Sequence, residues 1–328
     1  MSPISIAGAG PAGSAAALAA LAEGAKVRIF EKSHFPRHKV CGEFLSPEIQ
    51  LTLESLGVWR EFLRASPAVI RTVKLHFGDR EKSWLLPQPA FGLSRYRLDK
   101  LLLDCAISRG AELVQEPFPS DSQPAILAHG RMAVSHEENR LFGFKAHFTG
   151  PAKDAVDLFL MRNAYAGVSV VENGETNVCG LAPESLLSAH GFDIDKFLPT
   201  WPSLHARLKP LTRSMDWLMT GPLVFSRKLH PQNGEAMYRS GDALGFIDPF
   251  TGSGILSAVL TGKLAGSAAA KRIPYNEYLR QCHGALGWQY RISSLVRSAL
   301  RKGFAESAAR LLPGNLLFGL TRPRMVLK

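Results

Sequence analysis

Between Ile4 and Phe30 the chain reads "ISIA", "GAGPAG", "SAAALAALA", "EGA" and "KVRIF". A short apolar strand stops at a glycine-rich turn, an Ala/Leu-rich helix follows to about Ala22, and a second strand ends at Glu31. Few folds accommodate that succession, because two strands joined by a helix must lie parallel in one sheet. Within the turn, Gly8, Gly10 and Gly13 form G-x-G-x-x-G around Pro11 and Ala12. The first glycine permits the tight turn, the second admits a pyrophosphate to the backbone, and the third lets helix pack on strand. The helix N-terminus offers unpaired N–H groups and partial positive charge to phosphate. Glu31, eighteen residues after Gly13 and followed by Lys32, stands where an acid binds a ribose diol and repels a 2′-phosphate. An ADP-containing cofactor is implied, and NAD and FAD satisfy this turn equally well.

Composition narrows the class. The 328 residues are 46% hydrophobic and 20% charged, which is enough for a substantial core. Cys41, Cys105, Cys179 and Cys282 form no C-x-x-C pair, so neither a disulfide framework nor a metal site is expected, and a reducing cytoplasm is the expected setting. The first strand begins directly after Met1-Ser2-Pro3, so no signal peptide is expected. No apolar run reaches the roughly 18 residues needed to cross a bilayer. The net charge is +11, and from Lys271 onward eleven Lys/Arg face only Glu277 and Glu306. That tail suits either peripheral contact with an anionic membrane or an ordinary solvated face. Without a recognition motif, nucleic acid is not expected as a partner.

Further along, "TVKLHFG" (72–78) and "EKSWLLP" (81–87) predict paired antiparallel strands, and 94–110 predicts a helix closed by Gly110. From about Arg140 the runs "LFGFKAHF", "DAVDLFLM", "AGVSVVE" and "TNVCGLA" predict a mostly antiparallel sheet. A second glycine-rich turn, "GDALGFIDPFTGSGI" (241–255), then opens another apolar helix. A basic amphipathic helix is predicted around Ile292–Phe304.

Taken together and in this order, "GAGPAGSAAALAALAEGAKVRIFEK", "GLSRYRLDKLLLDCAISRGAEL" and "GDALGFIDPFTGSGI" resemble the FAD-dependent p-hydroxybenzoate hydroxylase superfamily. Within it, "RHKVCGEFLSP", "FGFKAHF" and "TGSGI" look most like the geranylgeranyl reductase branch. The resemblance covers residues 1 to about 270. It implies a doubly wound α/β FAD domain assembled from 1–66, 94–131 and 230–272. A β-rich substrate domain (67–93 and 132–229) is inserted, and basic C-terminal helices (273–328) follow. It assigns FAD contacts to Arg95, to Asp242 on the ribityl chain, and to Gly252, Gly254 and Ile255 at the flavin. Arg37, Lys39, Cys41 and Gly42 match the K-x-C-G loop that approaches the flavin in reductases of this branch. Cys41 is either a reactive thiol with a pKa lowered by Arg37, His38 and Lys39, or a soft packing contact. Tyr165 either covers the flavin or is core.

Two departures matter. His129 of "ILAHGR" replaces the Asp of the superfamily's A-D-G turn, which bears on NADH or NADPH as electron donor. "AYAGVSVVE" keeps Tyr165 but lacks the Trp, Phe and Pro of isoprenoid reductases and the Trp-rich signature of flavin halogenases. The resemblance implies an FAD-dependent oxidoreductase acting on a hydrophobic small molecule, most like a C=C reductase. A monooxygenase acting on an aromatic or polyketide-like substrate, and a non-catalytic FAD-containing lipid or carrier-binding protein, remain open.

Overall fold

A computed structural model of the chain describes residues 2–131, 140–161, 163–223, 237–246 and 252–301. The chain opens with β1 (Ile4–Ala7), α1 (Pro11–Ala22) and β2 (Val27–Phe30). It passes through β3 (Phe44–Leu45), α2 (Ile49–Ser55) and α3 (Trp59–Arg64) to the long hairpin of β4 (Ala68–Phe77) and β5 (Arg80–Gly92). It returns by α4 (Arg95–Ser108), β6 (Glu112–Val114) and β7 (Ile126–Leu127). A meander of β8 (Leu141–Thr149), β9 (Ala155–Met161), β10 (Ala164–Val170) and β11 (Thr176–Pro183) follows. Next come α5 (Glu184–Ser188), α6 (Ile194–Phe197), α7 (Pro202–Leu208), β12 (Thr212–Arg213) and β13 (Leu218–Leu223). Last are β14 (Tyr238–Arg239), α8 (Gly254–Lys271) and α9 (Tyr275–Arg301).

The strands form two sheets. The first, in the order β14-β7-β1-β2-β6, is parallel throughout. Helices α1 and α8 pack on it and on each other, and their mutual approach is set by glycine: a Cβ on Gly262 would lie 2.1 Å from the Ala12 carbonyl oxygen, and one on Gly266 2.0 Å from that of Ala16. Those glycines fall four residues apart, on one face of α8. The second sheet runs β12-β8-β11-β10-β9-β4-β5-β3, with β13 also on β8. It is mixed: β4 lies parallel to β9, whereas its other pairings are antiparallel. The predicted 72–78/81–87 pair is present within the longer β4–β5 hairpin. Phe44–Leu45, inside the segment read as FAD-binding, pairs with β5 and so belongs to the second sheet.

The alternation of β8, β10 and β11 gives the second sheet two different faces. Phe144, Ala146, Phe148, Ala166, Val168, Val178 and Ala182 form one apolar layer with Phe197, Trp201 and Leu204 of the α6–α7 region. The opposite face carries Lys145, His147, Ser169, Asn177 and Cys179, then Tyr165 and Leu181 toward one end. It is equally buried, because the Cys41–Glu43 loop lies on it. No helix among the described residues is long and apolar enough to cross a membrane. The predicted basic helix begins earlier than expected, at Tyr275, while Lys302, Phe304 and the rest of the basic tail lie outside the described residues.

Candidate functional site

The G-x-G-x-x-G turn joins β1 to α1 as the sequence requires. Gly8 has φ +104°, and a Cβ on Gly13 would lie 1.8 Å from the Gly8 carbonyl oxygen, so helix and strand touch there. Gly10 caps α1 without a side-chain partner and faces open space, while Pro11 and Ala12 are buried behind it. Glu31 has a local duty within the turn. Its carboxylate accepts from the Ala9 N–H (2.9 Å) and the Ser33 N–H (2.8 Å), pinning the turn to the end of β2. Lys32 is exposed.

The second glycine-rich turn lies beside the first. Gly241, at φ +59°, donates its N–H to the Thr261 hydroxyl (2.9 Å). Asp242 thereby stands next to the α1 N-terminus: a Cβ on Gly241 would meet that of Ala12 at 2.9 Å. The Asp242 carboxyl is open to solvent yet deeply ringed by protein, so it lines a recess. Desolvation there pushes its pKa up, and Arg95, Lys39 and Arg131 pull it back. Gly252 has φ +62°, and Gly254 begins α8 facing open space. Ile255 is buried and packs into the core of the first sheet. Ile247–Thr251 lie outside the described residues.

Cations crowd this recess. Arg95 is no surface residue: Nε and Nη2 reach the buried Asp99 carboxylate at 2.5 and 2.7 Å. Lys39 makes no hydrogen bond or ion pair among the described residues. Burial, together with Arg95 and Arg37, brings its pKa down to about 8. Arg37 lies 3.9 Å from Glu31, and its buried Nε has no partner among the described residues. An excess of half-desolvated, under-partnered cations beside two helix N-termini and open glycine backbone fits a diphosphate-bearing cofactor such as FAD. A bound diphosphate would favour charged Lys39, so binding takes up a proton wherever free Lys39 is neutral. FAD affinity should therefore fall as pH rises above 8, by up to about tenfold per unit. Lys39→Met should flatten that dependence, and fluorescence titration at pH 7, 8, 9 and 10 checks it.

The K-x-C-G loop is held on the polar face of the second sheet. Asn177 Nδ2 donates to the Cys41 carbonyl (3.0 Å), and the Ser169 hydroxyl to that of Gly42 (3.4 Å). Glu43, fully buried at φ 54°, is the centre of the clamp. Its Oε1 accepts from Lys145 Nζ (2.5 Å) and from the Arg95 N–H (2.7 Å), and its Oε2 lies 2.7 Å from His147 Nε2. His147 reaches outward to Glu175 at 3.5 Å, and His38 packs between Tyr96 and His147. Sequence reading missed Glu43, Lys145, His147 and Asn177. The available signal was two ionisable residues alternating with Phe144, Ala146 and Phe148.

Cys41 corrects one expectation. Burial pushes its thiol up, not down, although the Arg95 guanidinium pulls the other way. Its nearest aids are the Glu43 N–H at 3.4 Å and Arg95, not the preceding basic residues. A neutral thiol is a soft contact, not a ready nucleophile. Tyr165 lies on the face that bears the loop, in an apolar cluster with Leu181, Leu223 and Phe246. His129 is exposed, and Gly130 follows at φ +85°.

Comparison with known proteins agrees with this geometry. The family model described as tryptophan halogenase matches residues 3–92. A menaquinone reductase of Mycobacterium tuberculosis is 31% identical over 140 residues, a match spanning 41% of this chain but only 31% of that protein. Among solved structures, the flavin-dependent brominase Bmp2 superposes with a TM-score of 0.76 at 16% identity, covering 97% of this chain and 92% of its own. The myxobacterial chondrochloren halogenase CndH gives 0.74 at 17%, covering 97% and 90%. A flavoprotein/dehydrogenase from Cytophaga hutchinsonii gives 0.76 at 19%, covering 92% and 86%. The chain thus shares the fold of these flavin-dependent halogenases, with a Rossmann-type parallel sheet joined to a mixed sheet.

Proposed function

We propose that the protein is an FAD-dependent oxidoreductase that reduces an apolar small molecule, with NADH or NADPH as electron donor. The observation that carries the cofactor is the cationic recess between the two glycine-rich turns, with Asp242 at its centre. FAD bound there would supply reversible two-electron transfer. The residues around it bind and orient. The α1 N-terminus, Arg37 and Lys39 take the diphosphate, and Asp242 accepts from ribityl hydroxyls. The α8 N-terminus directs its free N–H groups at the far end of the groove. The clamp on Glu43 holds the Cys41–Gly42 backbone against the same groove, and the Tyr165–Leu181–Leu223 cluster excludes water beside it.

The K-x-C-G loop and the partial match to a menaquinone reductase support reduction. A second reading, oxygen-dependent halogenation or hydroxylation, is supported by the family model and the halogenase-like fold. Anaerobic mixing of FAD-loaded protein with NADH or NADPH separates them. Bleaching of the flavin band without substrate, followed by reoxidation on adding a quinone or an activated alkene, is expected for the reductase. Reoxidation by oxygen alone, with halide or hydroxyl incorporated into an aromatic acceptor, would sink it. Peripheral membrane contact through the basic tail is part of the same proposal, since an apolar substrate partitions into lipid. Sedimentation with anionic vesicles tests it, and equal recovery with neutral vesicles counts against it.

A further inference from the structure

Cys41 and Cys179 are far apart in sequence, yet the fold sets them side by side. Cys179 lies on β11, on the face that carries the K-x-C-G loop. Its sulfur accepts a hydrogen bond from the Cys41 backbone N–H. Two more bonds bracket the same stretch of loop: Asn177 Nδ2 to the Cys41 carbonyl (3.0 Å) and the Ser169 hydroxyl to that of Gly42 (3.4 Å). The Cys41 sulfur accepts from the Glu43 N–H (3.4 Å), and a charge on Cys41 would raise the Cys179 pKa. Both thiols are partly exposed, whereas Cys105 and Cys282 are buried. A disulfide forms without strain only where two backbones already lie close, and a loop tied to its neighbouring strands by three hydrogen bonds supplies that.

The two thiols are not equivalent. Burial raises both pKa values, but on Cys41 the Arg95 guanidinium and the Glu43 N–H oppose the shift. On Cys179 the opposing cation is Lys145, which is already paired with Glu43. We propose that Cys41 and Cys179 are a redox-active pair, oxidised by small-molecule disulfides to an internal disulfide that locks the K-x-C-G loop onto β11. The Cys41 thiolate attacks one sulfur of the small disulfide, forming a mixed disulfide and releasing one small thiol. Cys179 then loses its proton and displaces the second small thiol from Cys41. Two protein S–H groups and one small S–S bond become one protein S–S bond and two small thiols. Two electrons thus pass from the protein to the small disulfide, and no other oxidant is needed. Because only thiolate attacks, the exchange is slow at neutral pH and quickens as pH rises. No flavin takes part, so the pair stands whether or not the oxidoreductase reading holds.

The test incubates the full chain with hydroxyethyl disulfide at pH 7, 8 and 9, quenches with acid, and counts alkylatable thiols by mass spectrometry after denaturation. The expected fall is from the four cysteines of the chain to two, fastest at pH 9, with the Cys41 and Cys179 peptides joined in a non-reducing digest. Cys105→Ser and Cys282→Ser should each still lose two thiols. Cys41→Ser should lose none, and Cys179→Ser should stop at a mixed disulfide on Cys41. The linked protein should melt about 5 °C or more above the reduced one, since the bond closes a long loop. Retention of all four thiols, a mixed disulfide on Cys41 of the wild type that never resolves, or a link through Cys105 or Cys282 would overturn the pairing. A linked protein that melts no higher than the reduced one would overturn the lock.

Discussion

Glu43→Gln is expected to lower the melting temperature by about 10 °C and to release bound FAD. The substitution keeps shape but leaves the Lys145 ammonium, wholly buried, without its counter-charge. Breaking one side of a buried ion pair costs about 3–5 kcal/mol. About 2–4 °C accompanies each kcal/mol in chains of about 150–250 residues, and the lower end applies to a longer chain such as this one. Glu43 also sits at φ 54°, a backbone state that a non-glycine residue holds only where its surroundings over-determine it. With the clamp weakened, the Cys41–Gly42 backbone loses its position over the groove, so flavin release should accompany melting at lower temperature. Lys145→Met combined with Glu43→Leu should recover part of the loss, because an apolar pair carries no uncompensated charge. The pH dependence has a definite sign. Although desolvation opposes ionisation, His147 and Lys145 hold the Glu43 pKa below its usual value. The clamp's contribution is therefore present above the unfolded carboxyl pKa, near 4.5, and is lost as pH falls through the folded one. Thermal melts of the variants at pH 7, and of the wild type from pH 7 to 3, check both statements. A shift under 2 °C for Glu43→Gln would show that the knot is not what secures the loop.

That clamp also marks the limit of what the sequence discloses. The first parallel sheet was legible because its signals are local: strand, glycine turn, alanine helix and strand lie within thirty residues. The meander β8–β11 was legible for the same reason, through alternation. Glu43, however, meets Lys145 and His147 across separations of 102 and 104 residues, and no local period predicts that encounter. The mostly antiparallel sheet expected from the runs beyond Arg140 is observed, whereas the parallel pairing, β4 on β9, is equally non-local and had no signal in the sequence. Of the two readings of Cys41, the fold opposes the lowered pKa. Three basic neighbours in sequence suggested a lowered pKa, but in the folded chain desolvation outweighs charge, and the Arg95 guanidinium arrives from another element. Arg95 acts on Asp242 in the recess, whereas its partner Asp99, one helical turn on, went unnoticed.

Gly262→Val carries the other large effect, and it acts through packing alone. At Gly262 a Cβ would stand 2.1 Å from the Ala12 carbonyl oxygen, an atom of a rigid helix backbone that cannot rotate aside. The helices α1 and α8 would have to separate by more than an ångström, and valine's methyl groups widen the gap further. Overpacking of this kind costs about 1–3 kcal/mol or more. The displaced helix N-terminus is the one beside Gly10, where the diphosphate is expected to sit. The preceding residue, Thr261, holds Gly241 and hence Asp242 through its hydroxyl. FAD affinity should consequently fall at least tenfold, even at a temperature where the variant remains folded. Gly284→Ala is the control. A Cβ at Gly284, on the exposed side of α9, meets nothing within 4 Å. There the substitution removes only the entropic cost of glycine in a helix and should stabilise by up to about 1 kcal/mol with FAD affinity unchanged. Melting curves and FAD titrations of the two variants decide the matter. If Gly262→Val behaves like Gly284→Ala, the close approach of the helices does not position the cofactor turn.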